Sequence, residues 1–166
     1  MTTDDYDVEA CAPGELSEAD LVTCFAIVRG GDAVNPATMR ADLPRASVLV
    51  LAREGNRIVG VGAIKAVRRR YTSKIATRSG FPFATDTPEL GYVAVDTAHR
   101  GHRLSHRIVA KLLSKHQGPL FATTSVEPMK RTLAKAGFVK QKHEWDGRTG
   151  KLSLWLREQQ SFVSVS

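Results

Sequence analysis

Residues 89–115 read ELGYVAVDTAHRGHRLSHRIVAKLLSK, a hydrophobic strand, a tight basic turn and an amphipathic helix in immediate succession. Leu90, Tyr92, Val93 and Val95 supply the strand and Asp96 to Arg103 the turn. Leu104, Ile108, Val109, Leu112 and Leu113 then recur at helical spacing and share one face. A helix that starts directly after a strand aims its first amides, and their partial positive charge, at whatever lies over the turn. The run His99-Arg100-Gly101-His102-Arg103-Leu104-Ser105, basic and with one glycine, therefore makes a seat for a phosphate. It also reads as an ordinary surface turn, because neither the three-glycine dinucleotide fingerprint nor the lysine-bearing phosphate loop is present.

Outward toward the N-terminus, Arg68 to Pro88 shows no clear period and reads as a long connection. It carries Arg68, Arg69, Arg70, Lys74 and Arg78 among Tyr71, Phe81 and Phe83. Such a segment suits a basic lid facing substrate or nucleic acid, or a solvated, extended hairpin with its aromatics tucked onto the core. Before it, Ala46–Arg53 and Arg57–Val67 are β-rich runs joined by a Glu54-Gly55-Asn56 turn, with Gly60 and Gly62 marking close backbone approach or a bulge. Asn35-Pro36 opens a short helix to about Ala41. Ser17 caps a longer helix that runs through Phe25 and Val28 to Gly30-Gly31, with Leu16 stapling to Leu21. Tyr6 to Cys11 forms the first strand.

Outward toward the C-terminus, Gly118-Pro119 closes the helix and Leu120–Thr124 makes a fifth strand. A helix from Glu127-Pro128 turns Met129, Leu133 and Ala136 inward and stops at Gly137. Phe138–Glu144 and Lys151–Arg157 are two further strands joined across Asp146-Gly147, with Trp145 and Trp155 as packing residues. His99, His102 and His106 make a poor preformed metal set, with no convergent carboxylate or thiolate, so no metal is expected.

The 166 residues suit one domain over 1–166, with a core of about 6–157 and a polar tail over 158–166. The ends, 1–5 and 161–166, are expected to be disordered. No apolar run approaches a membrane span and the first residues lack signal-peptide character, so the expected location is cytoplasmic, away from membranes. Cys11 and Cys24 are read as reduced, buried thiols, with a disulfide between them left open. The net charge of +7 favours an anionic partner, either a phosphate-rich cofactor or nucleic acid.

The run VAVDTAHRGHRLS, residues 93–105, resembles the pyrophosphate-binding segment of the GNAT superfamily of acetyl-CoA-dependent N-acetyltransferases, usually Gln/Arg-x-x-Gly-x-Gly/Ala after a hydrophobic strand. Arg100 takes the leading position, Arg103 stands at the first glycine and Ser105 at the glycine or alanine. The 54–62 hairpin and the run Leu133-Ala134-Lys135-Ala136-Gly137-Phe138 are similar to other parts of that superfamily.

The resemblance implies an α/β (α+β) GNAT fold, a mixed, mostly antiparallel sheet of about seven strands flanked by about four helices. It implies acetyl-CoA as co-substrate, its pyrophosphate over Arg100, Gly101, His102, Arg103, Leu104 and Ser105, its pantetheine arm along Val93, Ala94 and Val95. The implied reaction is direct acetyl transfer to a primary amine in a ternary complex. Glu89 takes the general base position, Asp96 braces the turn, and Ser125 or water can protonate the leaving thiolate, because the tyrosine of many relatives is Leu133 here. A chain that binds the coenzyme without transferring acetyl is the first alternative, and a nucleic-acid binder using residues 68–78 the second. The basic surface disfavours a polycationic acceptor unless Asp86, Glu89 and Asp96 gather into an acidic pocket. Amino acids, small amines, peptide N-termini, protein lysines and aminoacyl-tRNA remain open as acceptors. So do the monomer and the homodimer.

Overall fold

The computed structural model describes residues 5–31, 36–147 and 150–158. Asn35 and the segments 1–4 and 159–166 lie outside the described residues. Among the described residues seven strands and five α-helices follow one another. They are β1 (Tyr6–Cys11), α1 (Glu18–Gly31), α2 (Pro36–Asp42), β2 (Val48–Glu54), β3 (Arg57–Ile64) and α3 (Arg69–Ser79). Then come β4 (Leu90–Val95), α4 (Leu104–Ser114), β5 (Leu120–Thr124), α5 (Glu127–Lys135), β6 (Val139–Asp146) and β7 (Lys151–Arg157).

The strands form two antiparallel sheets, β1-β2-β3-β4 and β5-β7-β6. Among the described residues they join at one parallel bridge, Glu89 to Phe121, where the Phe121 amide donates to Pro88 O at 3.1 Å. Beyond that bridge β4 and β5 diverge. The edge of β4 facing β5 therefore has no strand partner.

Helices cover both faces of the first sheet. Cys24, Val28, Met39 and Leu43 close one face over Leu49, Leu51, Val61 and Ala63. Leu104, Ile108, Val109 and Leu112 of α4 close the other, together with Leu133, Phe138 and Trp155 from the second sheet and α5. This is why β3 is apolar without alternation, as a strand buried on both sides must be. β7 is central in its own sheet. Trp155 packs with α4 and α5, and Leu154 and Leu156 turn to the opposite face, toward Ile75 of α3.

Ser17 caps α1 as expected, its Oγ accepting from the Asp20 amide at 3.1 Å. Cys24 is buried, Cys11 is half-exposed rather than buried, and both are free thiols. Burial, with Cys11 and Asp20 adding to it, pushes the Cys24 thiol up to about 12.

The main correction falls at residues 68–88, where the sequence suggested a long connection or an extended hairpin. Residues 69–79 are an α-helix that ends on Gly80 in the left-handed conformation, φ 69°. Its buried residues are Thr72, Ile75 and Ser79, a face written mostly in small polar side chains that an apolar-period search passes over. The helix count rises accordingly from about four to five.

Gly60 and Gly62 face α4. A Cβ at Gly60 would stand 3.0 Å from Ile108 Cδ1, and one at Gly62 would overlap Ile108 Cγ2 while standing 3.1 Å from Leu112 Cδ1. The missing side chains let α4 approach the sheet closely. Gly62→Ala should therefore lower stability by roughly 1–3 kcal/mol through overpacking, measured by urea unfolding; an unchanged midpoint would show that α4 has room to withdraw.

Candidate functional site

The divergence of β4 and β5 opens a cleft of about 1240 Å³. At one end it is bounded by the turn before α4 and by α5, at the other by α3, with β4 along its length. Every residue from Glu89 to Val95 lines it.

β4 is irregular at the middle of this wall. Gly60 and Val61 pair with Val95 and Ala94, while Ala63 and Ile64 pair with Gly91 and Leu90, so Tyr92 and Val93 together face Gly62. This is a β-bulge, one extra residue on β4. Tyr92 sits at φ 56°, a left-handed conformation that a bulky side chain adopts only when its surroundings hold it there. The bulge reverses the facing of the strand. Leu90 packs with the α4 side of the sheet, yet Tyr92, two residues on, packs with the α1 side. Beyond the bulge, the Asp96 amide donates to Val59 O at 2.8 Å, so by antiparallel alternation the amide and carbonyl of Val95 point away from β3 into the cleft. Arg100 Nε approaches that carbonyl at 3.4 Å.

Held around Tyr92 is a charged network. Its hydroxyl donates to Asp42 Oδ2 at 3.3 Å, and Lys65 Nζ lies 4.1 Å from its ring centroid. Lys65 Nζ is also 2.9 Å from Glu89 Oε1. Arg68 closes the circuit, 3.0 Å from Asp42 and 3.6 Å from Glu89, with its guanidinium over the Tyr71 ring at 4.3 Å. Glu89 is thus a buried carboxylate, 7% exposed, rather than a solvated strand end, and its partners are one lysine and one arginine. Burial first, then the Glu89 charge, pushes the Tyr71 phenol well above its usual range, so it is protonated at neutral pH. Burial and Asp42 do the same for Tyr92.

At the other end, Arg100, Gly101, Arg103, Leu104 and Ser105 all line the cleft. Gly101 takes φ 90° and Arg103 φ 60°, and no side chain caps the first turn of α4, which leaves its leading amides available to an anion. His106 lines the same corner, where burial, then Lys135 and Arg103, hold its imidazole below the usual range. His102 differs from its neighbours. It does not line the cleft, and its ring packs 5.3 Å from that of Tyr6, whose hydroxyl is 3.0 Å from His99 Nδ1.

Ser125, between β5 and α5, lines the cleft and is half-buried, whereas Leu133 lies wholly inside the core although its residue borders the same space. Asp96 is 3.9 Å from Arg57, and its carbonyl accepts from the His99 amide at 2.8 Å, bracing the turn. Glu89 and Asp96 stand at opposite ends of β4 with separate cationic partners, so they do not form a common acidic pocket. Among the described residues no cluster of three or more metal-ligating side chains occurs. No helix is long and apolar enough to cross a membrane among those residues. Lys65, Tyr71 and Tyr92 line the cleft without having been assigned a site role from the sequence. Only the side-by-side cations and tyrosine of 68–71 signalled any of them in advance.

The Acetyltransferase (GNAT) family model matches residues 19–138. No curated protein matches the sequence significantly. Among solved structures, PH1933 from Pyrococcus horikoshii OT3 is similar with a TM-score of 0.66 at 14% identity, over 93% of this chain and all, 100%, of that one. A GNAT family acetyltransferase from Elizabethkingia anophelis with acetyl-CoA bound gives 0.60 at 14% identity, over 93% and 99% of the two chains. Rv2747 from Mycobacterium tuberculosis, in complex with CoA and NLQ, gives 0.60 at 16% identity, over 90% and 98%.

Arg103 occupies a left-handed position that costs a side-chain-bearing residue about 1 kcal/mol relative to glycine. Arg103→Gly is therefore expected to raise stability in chemical denaturation; a loss would mean that the arginine side chain holds the turn together.

Proposed function

Because the chain belongs to the GNAT acetyltransferase family and is an acyltransferase, we propose that it moves an acetyl group from acetyl-CoA directly to a primary amine held in the same cleft. The observation that carries this reading is one continuous cleft joining three features. These are an anion seat at the start of α4, an unpartnered β4 edge with a bulge, and a buried carboxylate beyond it.

The residues fit the coenzyme. Arg100 and Arg103, with the first amides of α4, suit its pyrophosphate through charge-assisted hydrogen bonds. The outward Val95 amide and its neighbours Val93 and Ala94 suit an extended amide-bearing arm, which pairs with a free strand edge as another strand would. A backbone amide at the bulge polarises the thioester carbonyl, fixed in place before the reaction begins. Coenzyme A supplies an activated acetyl group and a leaving thiolate, whose ordinary pKa of about 8.5 lowers the need for a strong acid.

Glu89 accepts the proton that the amine loses, directly or through a water, and Lys65 and Arg68 hold its carboxylate in place. Ser125 and the Tyr71 hydroxyl both line the cleft and are two of the hydroxyl groups there that can return a proton to sulfur. Tyr71 comes from α3, so a proton donor is present although Leu133 is part of the core. This weakens the case for a silent coenzyme binder. The nucleic-acid reading loses two of its three aromatics, because Tyr71 and Phe83 pack onto Phe121 beneath α3 and only Phe81 stays exposed.

Two similar structures carry amino acid chemistry or a coenzyme: FeeM is an N-acyl amino acid synthase, and Rv2747 is in complex with CoA and NLQ. They are compatible with a small acceptor here. Two variants test the assignment. Arg100→Ala should weaken acetyl-CoA binding by roughly tenfold in calorimetry. Glu89→Gln should cut amine-dependent thiol release by roughly a hundredfold with that affinity unchanged. Coenzyme affinity unaffected by the arginine change would remove the phosphate seat from this turn.

A further inference from the structure

The charge lining the cleft is lopsided, and its two ends are charged for different reasons. Arg100, Arg103, Arg131 and Lys135 lie at the α4–α5 end, where the coenzyme phosphates are assigned. Lys65, Arg68, Lys74 and Arg78 lie at the far end, along β3 and α3. Among the described residues two carboxylates line the cleft, Glu89 and Asp146, and each is already in an ion pair, Asp146 with Lys151 at 2.7 Å.

Within the far group the cations are not equivalent. Lys65 and Arg68 are neutralised by Glu89 and Asp42. Lys74 and Arg78 are exposed, and among the described residues neither is in an ion pair. Tyr71, Lys74, Ile75 and Arg78 fall at the i, i+3, i+4, i+7 spacing of one helical face, and all four border the cleft. Ile75 anchors that face in the core beneath. A rigid helix thus presents two uncompensated cations to a concave site, where low-dielectric walls strengthen their field. One of them is an arginine, whose planar fork matches a carboxylate.

We propose that this end of the cleft is a subsite for an anionic group on the acceptor, and that the acceptor is a small amine bearing a carboxylate. The inference rests on the transferase reading above. The carboxylate docks on Lys74 and Arg78, and the amine points along the cleft toward Glu89 and the β4 bulge. A polyamine would meet the unpaired Lys74 and Arg78 as like charges. An amine whose carboxyl is masked as an amide would leave both free cations unmatched.

The test uses the full chain with acetyl-CoA and follows thiol release for a panel of L-amino acids and their carboxamides. O-phosphoethanolamine and spermidine complete the panel. Free amino acids should give a kcat/KM roughly tenfold or more above their amides. Lys74→Ala and Arg78→Ala should each raise the acceptor KM by a similar factor with the acetyl-CoA KM unchanged. Equal turnover of acids and amides overturns the proposal. So does preference for spermidine or for the phosphate-bearing amine, or variants with unchanged acceptor KM.

If no amine releases thiol, the transferase reading fails on its own. The subsite is then decided by melting temperature in the presence of coenzyme A. Stabilisation by amino acids but not by their amides, lost in Arg78→Ala, supports it; no stabilisation, or the same with both, overturns it.

Discussion

The parting of β4 from β5 after a single bridge is the constraint on which the molecule turns. Strands from one sheet to the next normally satisfy each other's backbone, and an edge left open inside a fold has to find donors and acceptors elsewhere. Here the opening is built in rather than incidental. β4 is held on its other side by β3, and β5 by β7, so neither strand can swing across to close the gap. α4 fixes β4 further through its contact with the glycines of β3, because the missing side chains of Gly60 and Gly62 set how close helix and sheet stand. The open edge is then stable while unpaired by protein, a condition for pairing with an extended ligand.

The bulge at Tyr92 adds strain to that edge, and the polar network around it shows what sustains the strain. Lys65 over the ring, Asp42 at the hydroxyl and the close pairing with β3 on both sides of the bulge hold one conformation from three directions. Strained backbone persists only where its surroundings over-determine it, and such places concentrate where chemistry is done. The same charges that position Tyr92 also position Glu89, so the geometry of the bulge and of the buried carboxylate cannot be altered independently.

What could be read from the sequence divides along physical lines. The strands and α4 were legible because their residues form β-rich apolar runs bounded by turns, as in β3, or recur with a period that burial enforces, as in Leu104, Ile108 and Leu112. α3 was not, because its buried face is Thr72, Ile75 and Ser79, and hydropathy does not register a small polar residue packed inward. The turn residues before α4 could be placed on the cleft from their order alone, except His102, whose ring packs against that of the distant Tyr6. Tyr92 at positive φ and the burial of Glu89 are tertiary facts. Nothing local to β4 announces either.

α3 connects these threads. It packs against β6 and β7 of the second sheet through Ile75, while Arg68 at its leading end is tied to Asp42 at the end of α2 and to Glu89 just before β4, on the side of the first sheet. The helix therefore spans the mouth of the cleft and links the two sheets where their strands diverge. Its inward face closes a small core, its edge brings the Tyr71 hydroxyl to the cleft, and Lys74 and Arg78 face the open space. A segment that holds the sheets together in this way also sets how far Lys74 and Arg78 stand from the β4 edge. On this geometry the width of the cleft and the placement of those cations follow from one element, since moving α3 would change both at once.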